Sequence, residues 1–144
     1  MSALQFIVGE WVGAGKSEGG GTDRGTSSIQ PIVGGAGLIR RDHNDVLAPS
    51  GKILDSFDQV MIIYPESGTY HADYLDGSHT IHYVHAAVEP GSSVQFDTGI
   101  APNRPAFRLT YSKVSDGTLS ILFEMAMPGL TAFHTVAEGQ IVRR

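Results

Sequence analysis

The sequence predicts an all-β protein: a closed, up-and-down antiparallel β-barrel of about ten strands behind a short N-terminal helical turn. Three observations lead there. Short runs rich in Val, Ile, Thr, Tyr and Phe recur between clusters of Gly, Pro, Asn, Asp and Ser. Several runs alternate: Phe107, Leu109 and Tyr111 interleave with Arg108, Thr110 and Ser112, and Tyr70, Ala72 and Tyr74 with His71, Asp73 and Leu75. That is the pattern of a wall with one wet and one dry face. The breakers are short, so consecutive strands are antiparallel neighbours, and a meander of that many strands curls and closes.

The elements follow in order. Residues 3–8 form the helical turn, and 9–18 the first strand, where Gly9, Gly13 and Gly15 let the backbone coil and Trp11 plugs one end. After Gly19-Gly20-Gly21 come strands at 26–33, 37–44, 52–64 and 69–75, separated by Gly34-Gly35, Ala48-Pro49-Ser50-Gly51 and Pro65-Glu66-Ser67-Gly68. Beyond Asp76-Gly77 the pattern predicts strands at 79–88, 92–98, 106–113, 119–127 and 131–143. Leu119, Ile121, Phe123, Met125 and Met127 make one apolar face of the ninth. Residues 1–144 read as one domain.

Composition narrows the function. The absence of cysteine excludes disulfides, thiolate metal sites and cysteine nucleophiles. A net charge of −5 argues against a nucleic-acid backbone or an anionic membrane surface as partner. No basic start followed by a long apolar run is present, and the run Val60–Tyr64 is too short to span a bilayer, so a cytoplasmic location is expected.

Gly13-Ala14-Gly15-Lys16-Ser17 invites comparison with a phosphate loop, but Glu10 stands where that motif needs glycine, and Glu18-Gly19-Gly20-Gly21 cannot begin its helix. A two-residue turn at Asp76-Gly77 would set His71 opposite His82, a pair able to share a metal on an otherwise polar face. No Gly-x-Ser-x-Gly elbow occurs, Asp55 and Asp58 point to opposite faces of their strand, and Glu124 lies opposite an apolar face. No catalytic constellation emerges, and a non-enzymatic role is expected. The aromatic and methionine side chains Tyr64, Tyr70, Tyr74, Tyr83, Phe107, Tyr111, Phe123 and Met125 are the candidate lining of an interior cavity: mostly apolar, with a few hydroxyls.

Gly9-x-Trp11 at the start of the first strand resembles the signature of the calycins, the superfamily of lipocalins and fatty-acid-binding proteins. That resemblance implies an arginine near the end of the last strand, Arg143 or Arg144, packed over Trp11. Gly-x-Trp-x-Gly-x-Gly, Gly34-Gly35 with Leu38, Ile63-Tyr64, and Tyr70 with Tyr74 together are similar to a bacterial lipocalin-like family that brings no established reaction. The start of the chain also resembles the nitrobindins, haem-binding barrels with a histidine near the C-terminus. His134 is the residue at a comparable place, although Thr135 follows it where nitrobindins have leucine.

The leading expectation is therefore a barrel holding a small hydrophobic or amphipathic, fatty-acid-like molecule, with no cofactor. The alternatives are a haem barrel with iron on His134, and a filled barrel acting through a protein partner.

Overall fold

The computed structural model describes residues 1–17 and 22–144, without the side chains of Lys16 and Ser17. The expected strand end at Glu18 and the turn Gly19-Gly20-Gly21 lie outside the described residues. Among the described residues an N-terminal 3-10 turn, Ser2–Ile7, precedes eleven strands. They are β1 (Gly9–Ser17), β2 (Thr22–Ile32), β3 (Gly37–Leu47), β4 (Ile53–Glu66), β5 (Thr69–Leu75), β6 (Thr80–Tyr83), β7 (His85–Glu89), β8 (Ser93–Asp97), β9 (Ala106–Ser115), β10 (Thr118–Ala126) and β11 (His134–Arg143). All pairings are antiparallel, in the order β6-β5-β4-β3-β2-β1-β11-β10-β9-β8-β7, so first and last strands pair and the sheet curls into a nearly closed barrel.

The eleventh strand arises because the expected strand 79–88 breaks at Val84. β6 pairs with β5, whereas β7 pairs with β8, and the chain itself carries the wall across the seam. There the Thr69 hydroxyl stands in for the missing ladder, accepting from the Ala86 amide at 3.1 Å. The His71–His82 pairing does not occur. The turn is four residues long, its ends joined by the Asp76 amide donating to the His79 carbonyl. The Asp76 carboxylate accepts from the Ser78 and His79 amides, which shifts the register so that His82 faces Asp73.

The two ends of the barrel differ. At one end the 3-10 turn is pushed under the strands, with Leu4 and Ile7 fully buried against Trp11, Ile29, Leu38, Ile63 and Leu119. The indole N–H of Trp11 donates to the Ile7 carbonyl at 2.9 Å and ties turn to barrel. Arg143 lies over the outer side of the indole, its guanidinium carbon 4.4 Å from the ring centroid, and donates to the Val8 carbonyl at 3.0 Å. Gly9 makes this possible: its φ is +145°, and a Cβ there would overlap the Arg143 guanidinium. The opposite end is marked by Thr22, Leu47, Ile53, Leu75 and His134, and no such plug closes it among the described residues.

On the outer wall, His43 sits between two carboxylates, with Nδ1 2.8 Å from Asp58 and Nε2 3.2 Å from Asp45. The hydrogen bond to Asp58 is the main reason its pKa lies above the ordinary histidine value.

Two outcomes are expected. Trp11→Ala should lower the unfolding free energy in urea by ~3–5 kcal/mol, and Gly9→Ala by ~1–3 kcal/mol through backbone strain and the displaced arginine. His43, with its raised pKa, should stabilise the fold most below the ordinary histidine value, and this contribution should vanish as pH rises through the raised value. His43→Gln should therefore flatten the stability–pH curve across that interval, and proton NMR of the His43 ring should show the late titration.

Candidate functional site

Strand parity decides what the interior contains. On β4, Met61 and Ile63 are fully buried while Ile62 between them is 40% exposed, so odd positions face inward. On β3 the inward set is the even one, Leu38, Arg40, Asp42, Asn44 and Val46. A polar layer thus sits inside the wall. Cross-strand register places Ser27, Asp42 and Gln59 side by side across β2, β3 and β4. One layer nearer the plug lie Ile29, Arg40, Met61, Tyr74 and Ile81.

Above Arg40 the interior is hollow, a cavity of about 500 Å³. Its floor carries Arg40, Tyr74, Tyr83 and Tyr111, and its walls toward the open end are Val46, Phe57, Ile121, Phe123 and Val136. A side lobe of about 140 Å³ shares Asp42, Asn44, Ile121 and Phe123 with it and reaches the bare backbone of Gly13, Gly15, Gly25 and Gly139.

Arg40 is 5% exposed, a permanently charged group inside the barrel. Its Nη1 donates to the Tyr111 hydroxyl at 2.9 Å, and Nε lies 3.1 Å from Asp42 Oδ2. That second contact is an ion pair without hydrogen-bond alignment, because Nε remains without a hydrogen-bond partner. The guanidinium carbon lies 5.7 Å from the Tyr74 ring centroid. Burial works against the charge, but Asp42 and the neighbouring tyrosine hydroxyls outweigh it and hold the group protonated. The chain of contacts continues as Gln59 donates to the Tyr74 hydroxyl at 2.6 Å, Tyr74 donates to Asp76 at 2.6 Å, and Asn44 donates to Gln59 at 2.8 Å. Burial is the first cause raising the pKa values of Tyr74, Tyr83 and Tyr111, so these hydroxyls stay protonated. Among the described residues two further buried atoms have no hydrogen-bond partner, Asp42 Oδ1 and Ser27 Oγ.

Among the lining residues expected from the sequence, Tyr74, Tyr83, Tyr111 and Phe123 do line the cavity. Phe107 stacks on Phe123 with centroids 5.7 Å apart and, with Met125, belongs to the rim rather than the lining. Tyr70 packs at the plugged end. Tyr64 points outward, since it shares parity with Ile62; its hydroxyl donates to Asp73 at 3.0 Å and its ring stacks on His71. His134 is exposed opposite Met125, and the lining contains no histidine among the described residues. These residues do not fit an iron held inside the barrel by His134. Sequence reasoning missed Arg40, Asp42, Asn44, Gln59 and Asp76. For the three on β3, the signal available was their alternation in phase with Leu38.

No protein-family model matches the chain, and no curated protein matches it. Among solved structures the chain is similar to one described as a de novo design of a fluorescence-activating beta barrel, with TM-score 0.54 and 14% identity over 100% of this chain and 99% of that one. It is also similar to EF1p2_mFAP2b bound to DFHBI, with TM-score 0.55 and 12% identity over 99% of this chain and 98% of that one. At such identity the likeness is one of fold.

The ion pair makes a sharp double-mutant prediction. Arg40→Met alone strands Asp42 in the interior and should cost ~3–5 kcal/mol of stability, whereas Arg40→Met with Asp42→Leu should recover most of that loss. Urea denaturation of the two variants measures the difference.

Proposed function

We propose that this barrel is a non-enzymatic carrier of one small amphipathic molecule, held inside the wall with its polar end on the Arg40–Asp42–Tyr111 layer. The observation that carries the reading is the cavity of about 500 Å³, apolar toward the open end and hydrogen-bonding at its floor. Ligand sites combine these features at volumes of roughly 300–1,000 Å³. The polar groups on the floor are engaged with one another, and its tyrosines are held protonated by burial, which suits orientation of a ligand better than proton transfer. One structure of the same fold is described as bound to DFHBI, which supports a small-molecule reading. Kinship with the calycins belongs to the same proposal, supported by Arg143 lying over Trp11 behind Gly9.

Ala137 lines the cavity, and a large side chain there grows into empty space. Ala137→Phe should leave the melting temperature unchanged or raise it, and should abolish the fluorescence gain of an environment-sensitive apolar dye that the unaltered protein binds. A variant that melts several degrees lower and still binds the dye would show the dye elsewhere and sink the carrier reading.

A further inference from the structure

We propose that the cavity selects ligands whose polar end donates hydrogen bonds, a protonated alkyl or aryl amine above all, and disfavours carboxylates; this rests on the carrier reading above. A carboxylate needs an available cation, and Arg40 is the one cationic side chain lining the cavity among the described residues. Its Nη1 is committed to Tyr111, its Nε edge is covered by Asp42, and its face lies toward Tyr74. An anionic head reaching Arg40 would lie against Asp42. Asp23, Asp42 and Asp76 all line this space, so the neighbourhood is already rich in carboxylates. Asp76 keeps its charge: burial opposes ionisation, but the Tyr74 hydroxyl and the Ser78 and His79 amides outweigh it and lower its pKa.

The polar surface open to the cavity has the opposite sign: the Asp42 side chain keeps 13% exposure against 6% for Arg40. Asp42 Oδ1, Ser27 Oγ and Arg40 Nε are buried behind it without hydrogen-bond partners, and Ser27 and Asp42 are direct neighbours across β2 and β3. Both line the side lobe, whose far wall is glycine backbone and whose volume of about 140 Å³ admits a compact head group. The lobe opens beside Ile121 and Phe123, which also wall the main cavity, so one molecule can place its head in the lobe and its body in the apolar hollow. An ammonium in the lobe meets the exposed part of the Asp42 carboxylate by charge-assisted hydrogen bonds, beside Ser27. The Arg40–Asp42 pair is near neutral as a unit, so it does not repel the incoming cation as a lone guanidinium would.

Calorimetric titration at neutral pH with decylamine, decanol and decanoate, each kept below micelle-forming concentration, separates head from chain. The amine should bind tightest and the carboxylate at least ~10-fold more weakly. Ser27→Ala should weaken decylamine ~3- to 10-fold while leaving decanoate unmoved. Asp42→Asn, which removes the charged acceptor and frees Arg40, should reverse the amine–carboxylate ranking. If that variant does not fold, the unaltered protein and Ser27→Ala decide. Decanoate binding as tightly as decylamine, or a Ser27→Ala variant with an unchanged amine-to-carboxylate ratio, overturns the head-group assignment while the carrier reading stands. Binding by none of the three overturns both.

Discussion

A guanidinium inside the barrel constrains everything around it. Arginine cannot discharge itself by losing a proton, so burial at position 40 obliges the wall to supply compensation. Asp42, two residues along the same strand, shares its face and provides the counter-charge; Tyr111, from the opposite side of the barrel, provides the neutral hydrogen bond. Tyr74 lies beside the guanidinium, and its hydroxyl joins Gln59 and Asp76, with Asn44 bonded to Gln59, in a network across adjacent layers. Above this network the wall carries Val46, Phe57, Ile121, Phe123 and Val136, and the space between them stays hollow.

The plugged end solves a different problem with different means. There the barrel is sealed by apolar contact, with Leu4, Ile7 and Trp11 at essentially zero exposure, and polar groups serve only to fix orientation. The indole N–H is satisfied locally by Ile7, so the largest side chain of the protein is buried without an orphan donor. Arg143 then covers the indole from outside, and the missing side chain of Gly9 is what lets it approach. Glycines farther along β1, β2 and β11 also allow close approach. A Cβ at Gly13, Gly15, Gly25 or Gly139 would overlap the neighbouring strand, and their bare backbone lines the side lobe. One residue type thus admits an arginine at one end and adjacent backbone toward the other.

Much of this is legible in the sequence, and the gaps have physical causes. Strand identity and antiparallel order can be read because turn chemistry and alternation agree along most of the chain. The seam at Val84 cannot, since no Gly, Pro or Asn marks it and the change of partner is a tertiary event. Tyr64 reads as inward because Val60–Tyr64 is apolar at every position, and a run without alternation conceals its parity; only pairing with β3 and β5 reveals that Met61 and Ile63 face in. The lining itself is half visible. Tyr74, Tyr83, Tyr111 and Phe123 announce themselves as aromatic, but Arg40, Asp42 and Asn44 look like a wet outer face by any rule that equates polar with exposed. The rule fails where a cavity needs polar walls, as local sequence logic tends to fail at sites that serve function.

That failure bears on why the polar layer exists. Replacing a buried ion pair by apolar residues of similar volume is commonly neutral or stabilising, so the fold does not require Arg40 and Asp42 for its strength. Nor does barrel closure require them, since the plug, the β1–β11 pairing and the Val84 crossing are built from other residues. Among the described residues the layer leaves three buried polar atoms without hydrogen-bond partners, Asp42 Oδ1, Ser27 Oγ and Arg40 Nε, a feature that lowers stability. A cost of that kind, placed beside an apolar hollow and away from the seal, is what the proposed carrier role would account for: the ion pair, its guanidinium held by Tyr111, would serve as a fixed dipole that orients what enters.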